Sequence, residues 1–380
     1  MLSAEQRQLR DAVSDFVDRE LIPHEDDPLT AEVVDRLFGG LRRLGVWALG
    51  VPTRFGGAGG ETLDRIVVIE QLSRSHLGPH LIGRMGEPLS ILFAGTPDQQ
   101  ERYLLPVVRG EKLGAFALTE PTGGTDPAGN MTTTAVQNGN DWVLDGRKTF
   151  VSFGDIADYV VVFARTEVSA GTRGITPFIV DAGTPGFSVV RRISTMGSMT
   201  PAELDFQHCL VPDANRIGEP GQGFALAQQL LGTARLEIGA RAIGVCERLI
   251  DLAVTQVNNR ESFGATLAQH QGVQWMLADC AIELEAVRNL TYGTAIREHD
   301  SVAAERMRCS ITKVLASDTI CSIADRVLQL FGGWGYSTDL PIERFYRDVR
   351  MWRIVEGPNE IHRTVIGRLL AENGIRSLRP

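Results

Sequence analysis

The feature that most constrains the fold of this chain is a long stretch of helical spacing that begins after Gly223. Apolar residues recur there every three or four positions and keep one face apolar through roughly ten turns of about 3.6 residues each. Helices of that length normally belong to a bundle, so the pattern predicts a helical bundle near the C-terminus. The residues on this apolar face are Leu226, Leu230, Ile238, Val245, Leu249 and Leu252.

Changes in this pattern divide the 380-residue chain into three predicted domains. Residues 1–112 read as a helical N-terminal domain. Residues 113–217 contain short runs rich in Val, Ile and Phe, separated by Gly and Pro, which is typical of a small sandwich or barrel. Residues 218–380 return to helical spacing. The expected fold class is therefore α+β and mostly α, with a β-domain between two helical domains.

Local patterns predict individual elements within these domains. Ser3 is a plausible N-cap, and Gln6 completes a capping box at the start of the first helix. A further helix is expected from about Val302 to Leu330. In the strand-rich region, WVLDGRKTFVS alternates around Asp145-Gly146, which predicts a hairpin turn there.

Composition excludes several classes of partner. Lys and Arg number 38 against 47 Asp and Glu, and no basic block stands out, so we expect neither nucleic acid nor an acidic membrane surface as a partner. No apolar run reaches the ~18 residues that a membrane span needs. The five cysteines lie far apart without a C-x-x-C pair, which argues against disulfides and a thiolate metal site. The polar, amphipathic N-terminus is unlike a signal peptide, and we expect a cytoplasmic protein that binds no metal.

The common hydrolase signatures are missing from the sequence. It contains no H-E-x-x-H and no G-x-S-x-G motif, and its seven histidines show no ligand spacing. The sequence therefore gives no indication of a metal-dependent hydrolase or a serine hydrolase.

Three glycine-containing stretches each allow two interpretations. AFALTEPTGGTDPAGN (residues 115–130) carries adjacent glycines that let backbone N–H groups approach a flat or anionic ligand, but an ordinary polar loop would read the same. QLFGGWGY (residues 329–336) either forms a ligand contact or a glycine C-cap after a helix. RESFGATLAQHQ (residues 260–271) places an Arg and an aromatic residue near a helix break, which is commonplace.

Glu356, in RIVEGPNEIHR, is the carboxylate with the least ordinary setting. It follows the apolar pair Ile354-Val355 and precedes Gly357-Pro358. Pro358 is suited to the first position of a helix, which we expect to bury an apolar face between Ile361 and Leu370. An acid at the edge of an apolar pocket explains this pattern, although an exposed loop glutamate has similar spacing.

Taken together and in this order, the stretches resemble the acyl-CoA dehydrogenase flavoprotein family. The resemblance spans some 310 residues and rests on seven motifs, any one of which is weak alone. They are VPTRFGGAGGE, GTPDQQERYLLPVVRGE, FALTEPTGGTD, the KTFVS strand, RESFGATLAQHQ, QLFGGWGY with IERFYRDVR, and VEGPNEIHR.

The resemblance implies a helical N-terminal domain, a central β-barrel and a C-terminal four-helix bundle, with FAD bound between barrel and bundle. It implies desaturation of an acyl thioester such as an acyl-CoA, in which a carboxylate takes the α-proton and the β-hydrogen leaves as hydride to flavin N5. It also implies a homotetramer, or a homodimer, and an electron-transfer flavoprotein as electron acceptor.

Site residues are carried over by position within these motifs. Glu356 matches the family's base, and its backbone N–H is expected to bind the thioester oxygen. Burial would raise the pKa of Glu356 toward the working pH. Arg235, Gly357 and Thr125 match substrate-binding positions. The residues that match FAD contacts are Phe116, Leu118, Thr119, Gly124, Thr125, Phe150, Ser152, Arg260, Phe263, Gln271, Gln329, Gly332, Gly333, Pro358 and Glu360.

The sequence departs from the family pattern at several positions. Ala234 occupies the place where some members carry their base, so Glu356 has no rival there. Phe150 stands where Trp is more usual, Val257 replaces a frequent Tyr, and Pro358-Asn359 replaces Thr-Ser. MGSMTPAEL (residues 196–204), which borders the thioester's carrier arm in the family, is about two residues short.

Three alternatives stay open at the level of sequence. An oxidase or hydroxylating flavoenzyme of the same fold differs mainly in oxygen access and electron acceptor. A dehydrogenase acting on an acyl-carrier protein differs in the carrier of the thioester. A non-catalytic helical oligomer would keep the fold and lose the flavin.

Overall fold

A computed structural model describes residues 2–297 and 301–375. The described residues form two compact units. The first, helical unit takes its residues from Met1–Gly50, Gly59–Met85 and Gly232–Pro380, and the second from Val51–Ala58 and Gly86–Leu231. The predicted three-domain division at residues 112 and 217 remains a prediction.

Twelve α-helices occur in the described residues. They are α1 Ala4–Phe16, α2 Ala31–Arg43, α3 Thr62–Leu72, α4 Gly78–Ile82, α5 Pro97–Gln99, α6 Leu105–Arg109, α7 Gly223–Asn259, α8 Gln271–Ala295, α9 Val302–Phe331, α10 Gly333–Tyr336, α11 Ile342–Val349 and α12 Asn359–Asn373. None of these helices combines the length and apolar character that crossing a membrane requires.

Helix α1 begins as its sequence predicts. The Ser3 side chain accepts from the backbone N–H of Gln6, and the Gln6 side chain accepts from the backbone N–H of Ser3. This capping box satisfies two N–H groups that have no partner within the helix. Val13 of α1 then packs with Leu37 of α2 and Ile66 of α3 in one buried cluster.

The long apolar face after Gly223 forms the 37-residue helix α7, about 55 Å long at 1.5 Å per residue. The helix predicted from Val302 is α9. A common core joins α7, α8, α9 and α11, and Leu249, Leu284 and Ile323 are among its buried residues. Helix α12 packs on α9, so α7, α8, α9 and α12 provide the predicted four-helix bundle.

A seven-stranded sheet dominates the second unit and forms a half-barrel. Its ends are β5 and β6, and β4 pairs with β5 on one side and with both β1 and β2 on the other. The strands are β1 Gly114–Ala117, β2 Thr134–Asn138, β3 Asp141–Val151, β4 Tyr159–Arg165, β5 Ile175–Asp181, β6 Phe187–Arg192 and β7 Ala202–Pro212. A separate two-stranded hairpin, β8 Glu261–Ser262 and β9 Ala265–Thr266, lies in the helical unit.

The predicted hairpin turn at Asp145-Gly146 is wrong, because both residues lie inside β3. Gly146 has φ +149° at an irregularity in the β3–β7 pairing, and a Cβ atom there would lie 2.5 Å from Thr133 Oγ1. Position 146 therefore requires glycine, because β3 bulges there and Thr133, just before β2, leaves no room for a side chain. The turn between β2 and β3 is formed by Gly139-Asn140 instead.

Candidate active site

Glu356 lies in the short connection between α11 and α12 of the helical unit. A single helical turn at Arg350–Arg353 precedes it, and α12 begins three residues after it. Glu356 has φ +57° and Gly357 has φ +94°. A left-handed backbone costs a non-glycine residue of the order of 1 kcal/mol and is retained where surrounding contacts enforce it. This strain marks Glu356 as a candidate functional residue.

Two side chains hold the carbonyl group of Glu356. Arg235, from α7, donates its Nε–H to the carbonyl oxygen at 3.2 Å, and His362, from α12, contacts the same oxygen through Nε2 at 3.0 Å. Because a carbonyl oxygen can only accept, the His362 ring carries its proton on Nε2. Nδ1 then accepts from the hydroxyl of Ser310 at 3.0 Å. Burial lowers the His362 pKa to about 4, so the ring is neutral near pH 7.

A buried lysine holds the next carbonyl group. Lys313, from α9, donates to the carbonyl oxygen of Gly357 at 2.8 Å and to the Oδ1 atom of Asn359 at 2.8 Å. Asn359 in turn donates to Ser317 and Asp318. Side chains of α7, α9 and α12 thus anchor the backbone around Glu356. These contacts keep Glu356 in its strained, left-handed conformation.

The electrostatic surroundings of the Glu356 carboxyl group suit a base. Burial raises its pKa above the ordinary 4.5, and the negative charge of Glu237 acts in the same direction. The positive charges of Arg235, Arg241 and Lys313 oppose this rise. No cation of the described chain lies within 4 Å of the carboxylate, which therefore stays available to a substrate.

The backbone N–H of Glu356 is also available. Among the described residues it donates to no acceptor, whereas the N–H groups of Ile354 and Val355 both donate to the carbonyl oxygen of Met351. A free N–H beside a free carboxylate matches the predicted pairing of an oxyanion donor with a base.

Pro358 and Glu360 line a cleft of about 460 Å³ in the same unit. Arginines dominate its wall, and Asp318 pairs with two of them. The other residues of the cleft are Arg350, Arg353, Ile354, Asn359 and Arg363. Its excess of guanidinium groups suits a ligand with phosphate or other anionic groups.

A second group of predicted residues gathers at the end of α9. Arg260 donates to the carbonyl oxygen of Phe331 at 3.0 Å, and Gly332 ends the helix with φ +62° beside the Arg260 guanidinium. Gln329 and Gly333 are exposed here. Phe263, at the β8–β9 turn, is 98% exposed and has φ +54°. Gln271, the first residue of α8, is also exposed.

The remaining predicted residues lie together in the half-barrel unit. The N–H of Thr149 donates to the carbonyl oxygen of Thr119 at 2.9 Å, which joins the segment after β1 to the end of β3. A Cβ atom at Gly124 would lie 3.1 Å from the Thr119 side chain. Phe150 is exposed with φ +54°. Of the other predicted residues, Leu118 is buried, Phe116 partly buried, and Thr125 and Ser152 exposed.

A buried ion pair between Lys148 and Glu120 stabilises the segment that follows β1. Lys148 Nζ lies 2.8 Å from Glu120 Oε1 and 3.2 Å from the carbonyl oxygen of Leu118. Glu120 also accepts from the backbone N–H groups of Thr132 and Thr133. The charge of Lys148 and these hydrogen bonds outweigh burial and lower the Glu120 pKa to about 2. The loop that carries Gly124 is therefore fixed by its first residues.

Each unit, taken by itself, offers groups that suit a part of FAD. Its phosphates require cations, and the helical unit offers the Arg260 guanidinium beside the turn at Gly332. Its flavin ring requires an exposed apolar surface beside hydroxyl groups, which Phe150, Thr125 and Ser152 offer in the half-barrel unit.

Sequence reasoning missed the residues that hold the backbone of Glu356. Lys313 and His362 were not singled out, since a lysine or histidine inside a helix is usually exposed. One signal was available: Ser310, Lys313 and Ser317 follow one another at helical spacing along α9. Three polar residues on one helix face predict either an exposed face or a buried polar network.

Comparison with known proteins covers the chain from end to end. Family models for the N-terminal, middle and C-terminal domains of acyl-CoA dehydrogenases match residues 3–111, 115–209 and 221–371. A curated relative, acryloyl-CoA reductase (NADH) of Anaerotignum propionicum, is 39% identical over 97% of this chain and 94% of its own length.

Two solved structures share the fold. Butyryl-CoA dehydrogenase from Megasphaera elsdenii is 33% identical, has a TM-score of 0.89, and matches 98% of this chain and 99% of its own. PigA, solved with FAD and proline, is 26% identical, has a TM-score of 0.90, and matches 98% of each chain.

Proposed function

This chain belongs to the acyl-CoA dehydrogenase family of FAD-dependent oxidoreductases, and we propose that Glu356 is its catalytic base. In this proposal the Glu356 carboxylate removes the α-proton of a saturated acyl thioester while the β-hydrogen leaves as hydride. Bound FAD supplies the acceptor for that hydride.

The observation that carries the proposal is the pair of free groups on one residue. The carboxylate of Glu356 has no cation within 4 Å among the described residues, and its N–H has no acceptor there. A thioester whose carbonyl oxygen accepts from that N–H would have a more acidic α-carbon, because the donor stabilises the developing enolate. Arg235, His362 and Lys313 hold the backbone that presents both groups.

Other residues take binding roles in the proposal. Gly357 leaves room for the thioester beside the base, and Thr125 contributes to substrate binding. The adenine and pyrophosphate of FAD from a neighbouring subunit would contact Arg260, Phe263, Gln271, Gln329, Gly332 and Gly333. The other proposed FAD contacts are Phe116, Leu118, Thr119, Gly124, Thr125, Phe150, Ser152, Pro358 and Glu360.

An anaerobic titration with saturated acyl-CoAs of graded length tests this function through the absorbance of oxidised flavin. The wild-type flavin should bleach. Glu356→Gln should keep FAD but slow bleaching by on the order of a thousandfold, because the amide cannot accept the proton. Glu372→Gln, which alters an exposed carboxylate on α12, serves as the matched control. Normal bleaching by Glu356→Gln would place the base elsewhere.

A second candidate function is the reverse reaction, reduction of an enoyl thioester. The relative that carries this activity in its name is 39% identical to this chain. Glu356 would then deliver the α-proton. Pre-reduced protein reoxidised rapidly by an enoyl-CoA, but slowly by an electron acceptor, would favour reduction. Rapid reoxidation by oxygen would instead favour an oxidase or hydroxylating enzyme.

We also propose a homo-oligomer, a homotetramer or homodimer, with an electron-transfer flavoprotein as redox partner in the cytoplasm. Support for the oligomer comes from Phe263, near the predicted FAD contact Arg260, because its aromatic side chain is 98% exposed in the described part of the chain.

A further inference from the structure

A buried cluster of three charges lies beside the proposed base in the helical unit. Arg65, from α3, donates to Glu237 Oε1 through Nε at 2.9 Å and Nη2 at 2.7 Å. Arg241, one turn further along α7, approaches the other carboxylate oxygen of Glu237 at 3.8 Å. Each of these three side chains is at most 16% exposed. We call these residues the Arg65–Glu237–Arg241 cluster.

The cluster lies close to the segment that carries Glu356. Arg235 binds the Glu356 carbonyl group from α7, and Arg241 lies six residues, about 9 Å, further along the same helix. The Arg241 guanidinium also lies 5.4 Å from the ring centre of Trp352, four residues before Glu356. The charges of Glu237 and Arg241 are accordingly felt at the Glu356 carboxyl group.

Arg65 is bound closely by Glu237, whereas Arg241 makes only looser contacts with Glu237 and the Trp352 ring. Arg65 and Glu237 join α3 to α7 with two short hydrogen bonds. Arg241 makes no hydrogen bond in the described part of the chain, and its one ion pair, at 3.8 Å, is longer than a hydrogen bond. A guanidinium has five N–H donors in a planar fork that suits a carboxylate. Arg241 therefore has unused donors close to the proposed reaction centre.

The unused donors of Arg241 indicate what this residue binds. The cluster contains two arginines and one glutamate, and the other carboxylate whose charge acts on Arg241 is that of the proposed base, Glu356. Burying these charges beside an alkyl chain is unfavourable, because the alkyl chain replaces water without supplying acceptors. A second carboxylate on the acyl group would supply the acceptors that the N–H groups of Arg241 lack.

We propose that Arg241 binds a carboxylate at the far end of the acyl group, so that the preferred substrate is the thioester of a short dicarboxylic acid. This inference rests on the proposed function, since it places the acyl group beside Glu356. It assigns Arg65 and Glu237 a positioning role, in which they hold Arg241 toward the substrate.

Two thioesters of equal chain length test the inference on wild-type protein with bound FAD. Pentanoyl-CoA and glutaryl-CoA both have five acyl carbons and differ in a terminal methyl or carboxylate group. Glutaryl-CoA should half-bleach the flavin at a concentration at least about tenfold lower, as expected for a charge-assisted hydrogen bond. Equal or better bleaching by pentanoyl-CoA would overturn the inference and leave the proposed function standing. No bleaching by either, with FAD present, would overturn the inference, and the proposed function would fall with it only if no acyl-CoA of the graded series bleaches the flavin.

Variants identify the residue responsible. Arg241→Gln should abolish the preference for glutaryl-CoA, whereas Arg241→Lys should retain part of it because it keeps the charge. Arg326→Gln is the matched control: Arg326 pairs with Glu283 roughly 20 Å along α9 from Lys313. An Arg241→Gln protein that melts like wild type yet keeps the preference would overturn the assignment to Arg241.

A binding measurement avoids dependence on turnover. In a Glu356→Gln background, calorimetry should give a lower Kd for glutaryl-CoA than for pentanoyl-CoA, and Arg241→Gln should remove that difference. If Arg241→Gln fails to fold, Arg65→Gln takes its place, with a smaller loss of preference expected. Equal Kd values for the two thioesters would contradict the proposal.

Discussion

At the scale of single residues, the site depends on backbone geometry as much as on a carboxylate. A glutamate in the left-handed region is strained, and the donors Arg235, His362 and Lys313 offset that strain by binding two consecutive carbonyl groups. Within the described residues, the same arrangement leaves the N–H of Glu356 without an acceptor and its carboxylate without an ion pair. The contacts that hold the strained backbone of Glu356 therefore also present its N–H and carboxylate to a substrate.

The pH dependence of flavin reduction should report the ionisation of Glu356. The carboxylate must be deprotonated to accept the α-proton, so the rate should rise with pH and level off above its raised pKa. Lys313→Met removes a positive charge that lowers this pKa, and the rising limb should therefore move to higher pH. Stopped-flow reduction over a pH series measures the shift. A limb that stays in place in Lys313→Met would contradict this electrostatic role.

His362 should act as a positioning residue. His362→Phe removes the Nε2–H donor from the Glu356 carbonyl oxygen and leaves Arg235 as its remaining side-chain donor, so we expect a rate of flavin reduction lower by about fivefold, the typical effect of losing one hydrogen bond of about 1 kcal/mol. His362→Gln can offer an amide N–H at the same place and should recover most of the rate. Bound FAD should be unchanged in both. Equal rates in the Phe and Gln variants would mean that the ring only fills space.

At the scale of elements, helical spacing predicted α7 and α9 well because their apolar faces are long. The capping box at Ser3 was predicted correctly because it depends only on residues within one helical turn. The turn at Asp145-Gly146 failed because a glycine in a bulge and a glycine in a turn look alike in sequence. The burial of polar residues on helix faces was not predicted either. In α12, His362 is buried and Ile361 exposed, the reverse of what an apolar face predicts.

The contact between α3 and α8 should make stability depend on pH. Glu70 of α3 is 1% exposed and accepts from the Tyr292 hydroxyl at 2.7 Å, and burial, assisted by the charge of Glu247, raises its pKa to about 7. The folded protein holds this proton more tightly than the unfolded chain does. The contribution of Glu70 is thus fully present below pH 4.5 and is lost as pH rises through 7.

Glu70→Gln should therefore gain stability relative to wild type between pH 4.5 and pH 8, by about 3 kcal/mol for a shift from 4.5 to about 7. Urea unfolding of both proteins at the two pH values measures this difference. Glu285→Gln on α8, where the side chain is 61% exposed, should show little change. A Glu70→Gln protein whose stability relative to wild type is the same at both pH values would contradict the buried-acid account.

At the scale of the whole molecule, large aromatic side chains remain uncovered around the proposed FAD contacts of the helical unit. Phe263 is 98% and Tyr336 83% exposed, and Trp275 and Trp334 are exposed as well. Monomeric proteins rarely expose several large aromatic residues so close in sequence to a binding turn. A second copy of the chain would cover them and would receive the flavin contacts of Arg260.

Sedimentation should accordingly give a mass of two or four times 41.5 kDa. The double variant Phe263→Ser and Tyr336→Ser should shift the protein toward a lower mass and release FAD, because the proposed contacts to a neighbour's cofactor are lost with the interface. Val168→Ser, at an exposed apolar position in the half-barrel unit, should change neither property. A double variant that keeps the wild-type mass while losing FAD would separate cofactor binding from assembly, and a wild-type monomer with full flavin would refute the shared site altogether.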